Sequence, residues 1–96
     1  MLVSFSIFPT DKGASVSAAV ASAVKIIRAS GLSYQLTAMS TLIEGEPDAV
    51  WAVMKECHLE MRRASKRVYA VITIDDRRGA QGAMDSKVSS IEEKLR

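Results

Sequence analysis

The chain has 96 residues, of which 48% are apolar, with 13 basic and 11 acidic side chains. This composition is typical of one globular domain, neither disordered nor fibrous. A net charge of +2 without a basic stripe argues against nucleic acid as a partner. The single cysteine, Cys57, excludes an internal disulfide framework and a thiolate zinc cluster within one chain.

The N-terminal segment MLVSFSIF is apolar, but it lacks a basic leader and alternates with serines. It therefore indicates a strand rather than a signal peptide. No apolar run approaches the roughly 20 residues that a membrane span needs. We expect one domain over residues 1–96, in the cytoplasm, with no membrane partner.

Alternating polarity predicts a first strand over residues 2–8. Its apolar face consists of Val3, Phe5 and Ile7. A loop containing Pro9 follows, and from Ser15 the apolar residues repeat at helical spacing. We predict a helix with Ser15 as its N-cap and Gly31 as its C-terminal stop.

Two short strands are predicted over residues 33–37 and 39–44, and the sequence GEP ends the second one. Pro47 suits the first turn of the next helix because its missing N–H is not needed there. That helix runs to about Ala64. Its core stripe is Val50, Val53, Met54, Cys57 and Met61.

Residues 66–75, KRVYAVITID, are the strongest strand signal because they are rich in β-branched residues. After a loop, the last segment places apolar residues at helical spacing. These are Met84, Val88, Ile91 and Leu95. The order β-α-β-β-α-β plus a C-terminal helix predicts an α+β ferredoxin-like sandwich, with two helices on one face of an antiparallel sheet.

The helices of such a sandwich cover only one sheet face, yet the last strand is apolar on both sides. Val68, Ala70, Ile72 and Ile74 lie on one side, and Tyr69 and Val71 lie on the other. A bare apolar face is unfavourable in water and marks association. We therefore expect a homo-oligomer, and the amphipathic third helix could also cover a neighbour.

No catalytic constellation is present in the sequence. His58 and Cys57 are neighbours that point about 100° apart on a helix, so they cannot act as base and nucleophile from one face. Asp75 and Asp76 have no further ligand at metal-binding spacing, and pairing with the two arginines that follow is favoured. We predict no catalytic residue, no bound metal and no cofactor.

One set of residues has the composition of a small-molecule pocket: small hydroxyls, two rings, a thioether and a carboxylate. Such groups would stack a flat ring and hydrogen-bond its edge. The set is Ser6, Ser17, Tyr34, Met39, Thr41, Glu44 and Trp51. An ordinary core with an acid at a strand end explains the same residues, so both interpretations stay open.

The sequence also leaves the orientation of the third strand open, because either Leu42 or Ile43 could face the helices. In a regular strand Thr41 and Glu44 point to opposite faces. A pocket shared by both residues then needs a bulge or a strand end between them.

Several segments together resemble the small thiamine-binding protein family, whose members were long catalogued as uncharacterised ferredoxin-like proteins. They are SIFP, GASVSAAVASAVKIIRASGLSYQLTAMSTLIEGE, VMKECHLEM, KRVYAVITIDDRR and SKVSSIEEKL. The likeness covers nearly the whole chain. It implies the same fold, homotetramers built as dimers of dimers, and non-catalytic binding of thiamine or its hydroxymethylpyrimidine half.

By this resemblance, a group of residues falls on the motif positions of the family. They are Ser15, Ser17, Tyr34, Met39, Thr41 and Glu44. Glu44 would accept a hydrogen bond from an exocyclic amine, and Thr41 and a helix-start serine would bond to ring nitrogens. Tyr34 and Met39 would supply apolar contact.

The chain departs from the family at two places. It has Ala38, Met39, Ser40 and Thr41 where the family has Pro-Met-Gly-Thr, and Thr73 where the family has lysine. The first departure removes backbone restraints beside the expected pocket. Both departures bear on the choice of ligand rather than on the fold.

The sequence therefore predicts a non-catalytic, cytoplasmic homo-oligomer that binds thiamine or a related aminopyrimidine. An alternative is a structural or regulatory oligomer without a dedicated ligand, in which Glu44 merely ends a strand. A third hypothesis is an enzyme with its active site between subunits, and the missing base–nucleophile pair speaks against it.

Overall fold

The computed structural model describes residues 1–11, 13, 16–79 and 82–96. Its elements in chain order are β1 (Leu2–Pro9), α1 (Ser17–Ala29), β2 (Ser33–Leu36), β3 (Thr41–Glu44), α2 (Pro47–Ala64), β4 (Val68–Asp75) and α3 (Ala83–Lys94). The predicted order of elements is confirmed, and the bounds agree with the sequence pattern to within a few residues. No helix in this described part of the chain has the length and hydropathy needed to cross a membrane.

The four strands form one sheet in the order β2-β3-β1-β4, and every neighbouring pair is antiparallel. This is the predicted ferredoxin-like topology. β1 lies in the middle and pairs with β4 along its whole length, from Leu2 to Pro9. Its pairing with β3 is shorter and ends where Phe5 lies opposite Thr41.

The core lies between one sheet face and the helices α1 and α2. Val3, Phe5 and Ile7 of β1 are buried there, as their alternation predicts. All five residues of the predicted α2 stripe are buried as well. Burial of each large aliphatic side chain contributes about 1.5–3 kcal/mol, so this face accounts for most of the favourable burial in the domain.

The orientation of β3 follows from the same burial pattern. Thr41 and Ile43 are buried on the helix side, whereas Leu42 and Glu44 are half-buried on the opposite side. We call that opposite side, which α1 and α2 do not cover, the open face. The register is regular through β3, so Thr41 and Glu44 do point to opposite faces.

The two ends of α1 differ in how well the sequence predicts them. Ser15, the predicted N-cap, lies outside the described residues, and the cap position is occupied by Val16, which makes no side-chain capping hydrogen bond. At the other end Gly31 has φ 79°, a left-handed conformation that favours glycine after a helix. The predicted stop at Gly31 is therefore confirmed.

β4 and α3 leave apolar side chains in solvent. On β4, Tyr69 and Val71 of the open face are each 49% exposed, and Ile72 and Ile74 on the other face are 40% and 41% exposed. The prediction of apolar residues on both sides of this strand is confirmed. None of the residues of α3 is buried, and its apolar side chains Val88 and Ile91 face solvent in the single chain.

Asp75, at the end of β4, pairs with a different partner from the one expected. Its carboxylate accepts a hydrogen bond from the Lys87 ammonium of α3, so the expected pairing with the adjacent arginines is wrong for this residue. The hydrogen bond from Lys87, together with the Lys87 charge, lowers the pKa of Asp75 below its usual range. This ion pair links the C-terminal helix to the edge of the sheet.

Candidate functional site

A cleft of about 220 Å³ lies where β1 continues past the start of β3. Beyond Phe5, β1 pairs only with β4, so its other edge is free. The cleft is bounded by this free edge, by the first half of α1 and by the turn between β2 and β3. Three of the residues predicted to bind ligand line it together: Ser6, Met39 and Thr41.

The turn that borders the cleft is closed by a side chain. Thr37 and Ser40 flank a two-residue loop, and the Thr37 N–H donates to the Ser40 carbonyl oxygen at 2.9 Å. Thr37 Oγ1 accepts hydrogen bonds from the N–H groups of Met39 and Ser40 at 3.3 and 3.1 Å. Among the described residues no residue other than glycine has a positive φ, so the usual primed hairpin turns are excluded.

This turn holds Met39 at the mouth of the cleft. Its side chain is 86% exposed and lines the opening. The turn is also attached to the central strand, because Ser4 Oγ donates to Ser40 Oγ at 2.8 Å. The alternating pattern of β1 predicts that Ser4 and Ser6 lie on the same face, which is the open face. It does not predict the hydrogen bond between Ser4 and Ser40.

The apolar stripe of α1 lines the cleft, and part of it also belongs to the core. Ala23 and Ile27 are buried core residues that border the cleft, whereas the valines that line it are half-buried. These are Val16, Val20 and Val24. Helical periodicity cannot separate the two groups, because it identifies a face of the helix and not what that face contacts.

Glu44 lies at the other end of the sheet, away from this cleft. Its carboxylate accepts hydrogen bonds from the N–H groups of Ala83 at 2.5 Å and Met84 at 3.5 Å. The first N–H groups of a helix have no intrahelical partner, and this end of the helix dipole is positive. A carboxylate accepts hydrogen bonds from these N–H groups, and its negative charge is attracted to the positive end. Gly82, at the cap position of α3, provides no side-chain capping hydrogen bond, so Glu44 provides the acceptor from outside the helix.

The remaining predicted residues are dispersed. Tyr34 lies on the helix side, where its hydroxyl accepts a hydrogen bond from Arg28 Nε at 2.8 Å. Ser17 is exposed in the first turn of α1, and Trp51 is 49% exposed on α2. None of these residues lines the cleft, and Ser15 lies outside the described residues. Their roles in ligand binding stay predictions.

The described lining of the cleft contains no ionisable side chain. It combines aliphatic and aromatic residues with four residues that carry hydroxyl groups, Ser6, Thr37, Ser40 and Thr41. Such a site can bury the faces of a flat ring and hydrogen-bond its edge. Elsewhere in the described chain, no group of three or more acidic, histidine or cysteine side chains is arranged to hold a metal ion.

Comparisons with known proteins agree in sequence and in fold. A family model described as thiamine-binding protein matches residues 3–92. A UPF0045 protein of Mycobacterium bovis is 40% identical over 96 residues, covering 99% of this chain and 94% of the relative. A solved structure from Methanocaldococcus jannaschii has a TM-score of 0.88 and 32% identity, covering 96% of this chain and 95% of that one. A domain of unknown function from Bacillus cereus has a TM-score of 0.83 and 30% identity, covering 97% and 90%.

Proposed function

The chain belongs to the thiamine-binding protein family, and on that premise we propose that it binds thiamine or a related aminopyrimidine without catalysis. We further propose that it works as a homo-oligomer in the cytoplasm. Family membership supports a thiamine-related role. The choice of ligand, the site and the assembly belong to the proposal.

The cleft beside the free edge of β1 is the observation that carries this proposal. A pyrimidine ring is flat, with apolar faces and a polar edge, and the lining offers the matching groups. The α1 valines would cover one ring face, and the soft thioether of Met39 would pack on the ring near the opening. The Thr41 hydroxyl, which lies on the helix side with these valines, would hydrogen-bond the ring edge, and Ser6 would contact the ring from the free edge of β1.

In this proposal Glu44 does not contact the ligand, because its carboxylate is engaged by the first N–H groups of α3. Ser6, Met39 and Thr41 are the residues to which we assign direct contact. Ser15, Ser17, Tyr34 and Trp51 are outside the assigned contact set.

Isothermal titration of thiamine and of hydroxymethylpyrimidine tests the proposal. Removal of one hydroxyl that bonds the ligand costs about 0.5–1.5 kcal/mol, so Thr41→Val should weaken binding by about threefold to tenfold. Thr73→Val is the matched control, because Thr73 is exposed on β4 and does not line the cleft. Saturating ligand, at about one hundred times its Kd, should raise the free energy of unfolding by about 2.7 kcal/mol.

A structural or regulatory oligomer is the second candidate, and the exposed apolar residues of β4 and α3 favour it. Such a protein would need its apolar faces for assembly and no ligand for function. It would show neither saturable binding nor a ligand-dependent change in stability. That result with the wild-type protein would contradict the binding proposal.

A further inference from the structure

The direction of the main-chain groups along β1 follows from hydrogen bonds at its two ends. The Thr10 N–H donates to the Arg67 carbonyl at 3.0 Å on the β4 side, and the Gly45 N–H donates to the Met1 carbonyl at 3.1 Å on the β3 side. Both registers are unbroken. Because successive residues of a strand direct their N–H and C=O groups to alternate sides, the even-numbered residues of β1 bond to β4 and the odd-numbered ones point toward β3.

Ile7 is the odd-numbered residue of β1 that lies just past the start of β3. The last pair between the two strands is Phe5 with Thr41, and the turn that precedes Thr41 leads the chain away. The N–H and C=O of Ile7 therefore point into the cleft, which Ile7 lines. Within the described chain neither group has a hydrogen-bond partner. Pro9 is the next residue of β1 whose main-chain groups point toward the β3 side, and it has no N–H.

Ile7 is a core residue with 6% of its surface exposed, and it lines the cleft. Most main-chain donors and acceptors in proteins are paired, so a free pair at the wall of a cleft is available to a bound molecule. The unpaired edge of a strand also binds partners readily, since its donor and acceptor lie side by side and face outward. The Ile7 groups thus form a ready-made donor–acceptor pair at the wall of the cleft.

We propose that the N–H and C=O of Ile7 are the recognition edge of this cleft, pairing with a heteroaromatic ring nitrogen and the amino group next to it. The proposal rests on the proposed function and specifies which ligand edge is recognised. A 4-aminopyrimidine carries that acceptor and donor side by side. In a cleft without ionisable side chains, selectivity for an aminopyrimidine over an apolar ring of the same size would then come from the main chain.

Amide hydrogen exchange measured by NMR on the ¹⁵N-labelled protein tests this pairing at single residues. In the free protein the Ile7 amide should exchange faster than those of Ser6 and Phe8, which bond to β4. Saturating hydroxymethylpyrimidine should slow exchange of the Ile7 amide by at least about tenfold, as expected for a new hydrogen bond of ordinary strength. The amides of Ser6 and Phe8 serve as internal controls and should change little.

A ligand analogue provides the second measurement. Replacing the ring nitrogen next to the amine by C–H leaves the Ile7 N–H without an acceptor, so affinity should fall by at least about tenfold. Binding of hydroxymethylpyrimidine with unchanged Ile7 exchange would overturn this inference alone. Slow Ile7 exchange in the free protein would also overturn it, because another group then already pairs with the amide. No saturable binding would overturn the proposed function together with the inference.

Discussion

At the scale of single residues, Cys57 shows how burial alone changes the chemistry of a side chain. It is fully buried in the core, and its Sγ lies 3.4 Å from the Ala23 carbonyl oxygen. Desolvation, with a smaller contribution from the Glu56 charge, raises the pKa of Cys57 from 9.0 to about 11. The thiol is therefore a neutral core group at physiological pH and not a nucleophile.

This raised pKa predicts a loss of stability at alkaline pH. The unfolded chain releases the thiol proton near pH 9, while the folded state keeps it. The contribution of the Cys57 thiol to the free energy of unfolding is therefore fully present below pH 9 and is lost as pH rises toward 11. Between pH 8 and pH 10.5 the free energy of unfolding should fall by about 2 kcal/mol more for the wild type than for Cys57→Ala. Urea unfolding of both proteins measures this difference, and equal losses would show that the folded thiol ionises freely.

At the scale of elements, α3 differs from the other two helices in how it is held. α1 and α2 bury apolar residues against the sheet, whereas α3 buries none. Among the described residues, two polar contacts attach it: Glu44 accepts from its first N–H groups, and Lys87 pairs with Asp75. Because polar contacts in solvent contribute little each, α3 should be the least stable element of the single chain.

Glu44→Ala tests this account of α3. Loss of a capping acceptor costs about 1 kcal/mol, so amide exchange in α3 should become roughly fivefold faster, while the amides of β1 are unaffected. Glu46→Ala is the matched control, since Glu46 is an exposed acid nearby that makes no side-chain capping hydrogen bond. Loss of hydroxymethylpyrimidine binding with α3 intact would instead support the sequence-based prediction that Glu44 anchors the ligand.

At the scale of the whole molecule, β4 lies at the edge of the sheet with exposed apolar residues on both faces. An edge strand of this kind pairs readily with another chain unless charge or a covering element prevents it. Asp75 is charged, but it stands at the end of the strand, and the middle of β4 has no charged residue. We therefore expect self-association to involve β4.

Val71→Lys tests this expectation by placing a charge in the middle of the open face of β4. Analytical ultracentrifugation should show an oligomer for the wild type and a dissociation constant at least tenfold higher for the variant, which corresponds to about 1.4 kcal/mol. Leu59→Lys is the control, because Leu59 is similarly exposed, at 45%, but lies on α2. A monomeric wild type, or equal effects of the two variants, would contradict a role of β4 in assembly.

Much of the fold is predictable because its signals are local. The alternation of Val3, Phe5 and Ile7 and the helical stripe from Val50 to Met61 each identify a buried face within one element. Pro47 and Gly31 mark helix ends by backbone restraints that act on single residues. The N-cap of α1 was less predictable, because Val16 occupies that position without a capping side chain.

The candidate site was only partly predictable. The side-chain types of Ser6, Met39 and Thr41 predict a pocket, but composition alone groups them with Glu44, which lies at the other end of the sheet. The N–H and C=O of Ile7, which we propose as the recognition edge, have no side-chain signature at all. A sequence pattern cannot show that a main-chain pair is left without a partner.

The elements, their order and the faces they bury follow from local patterns, because periodicity and backbone restraints act within a few residues. The end of the β1–β3 pairing at Phe5, which leaves Ile7 facing a cleft, is visible only in the folded chain. The same holds for the carboxylate of Glu44, which binds the amides of a helix that starts 39 residues later. The physical reason is that strand register and helix docking depend on contacts between distant parts of the chain, which no local pattern specifies.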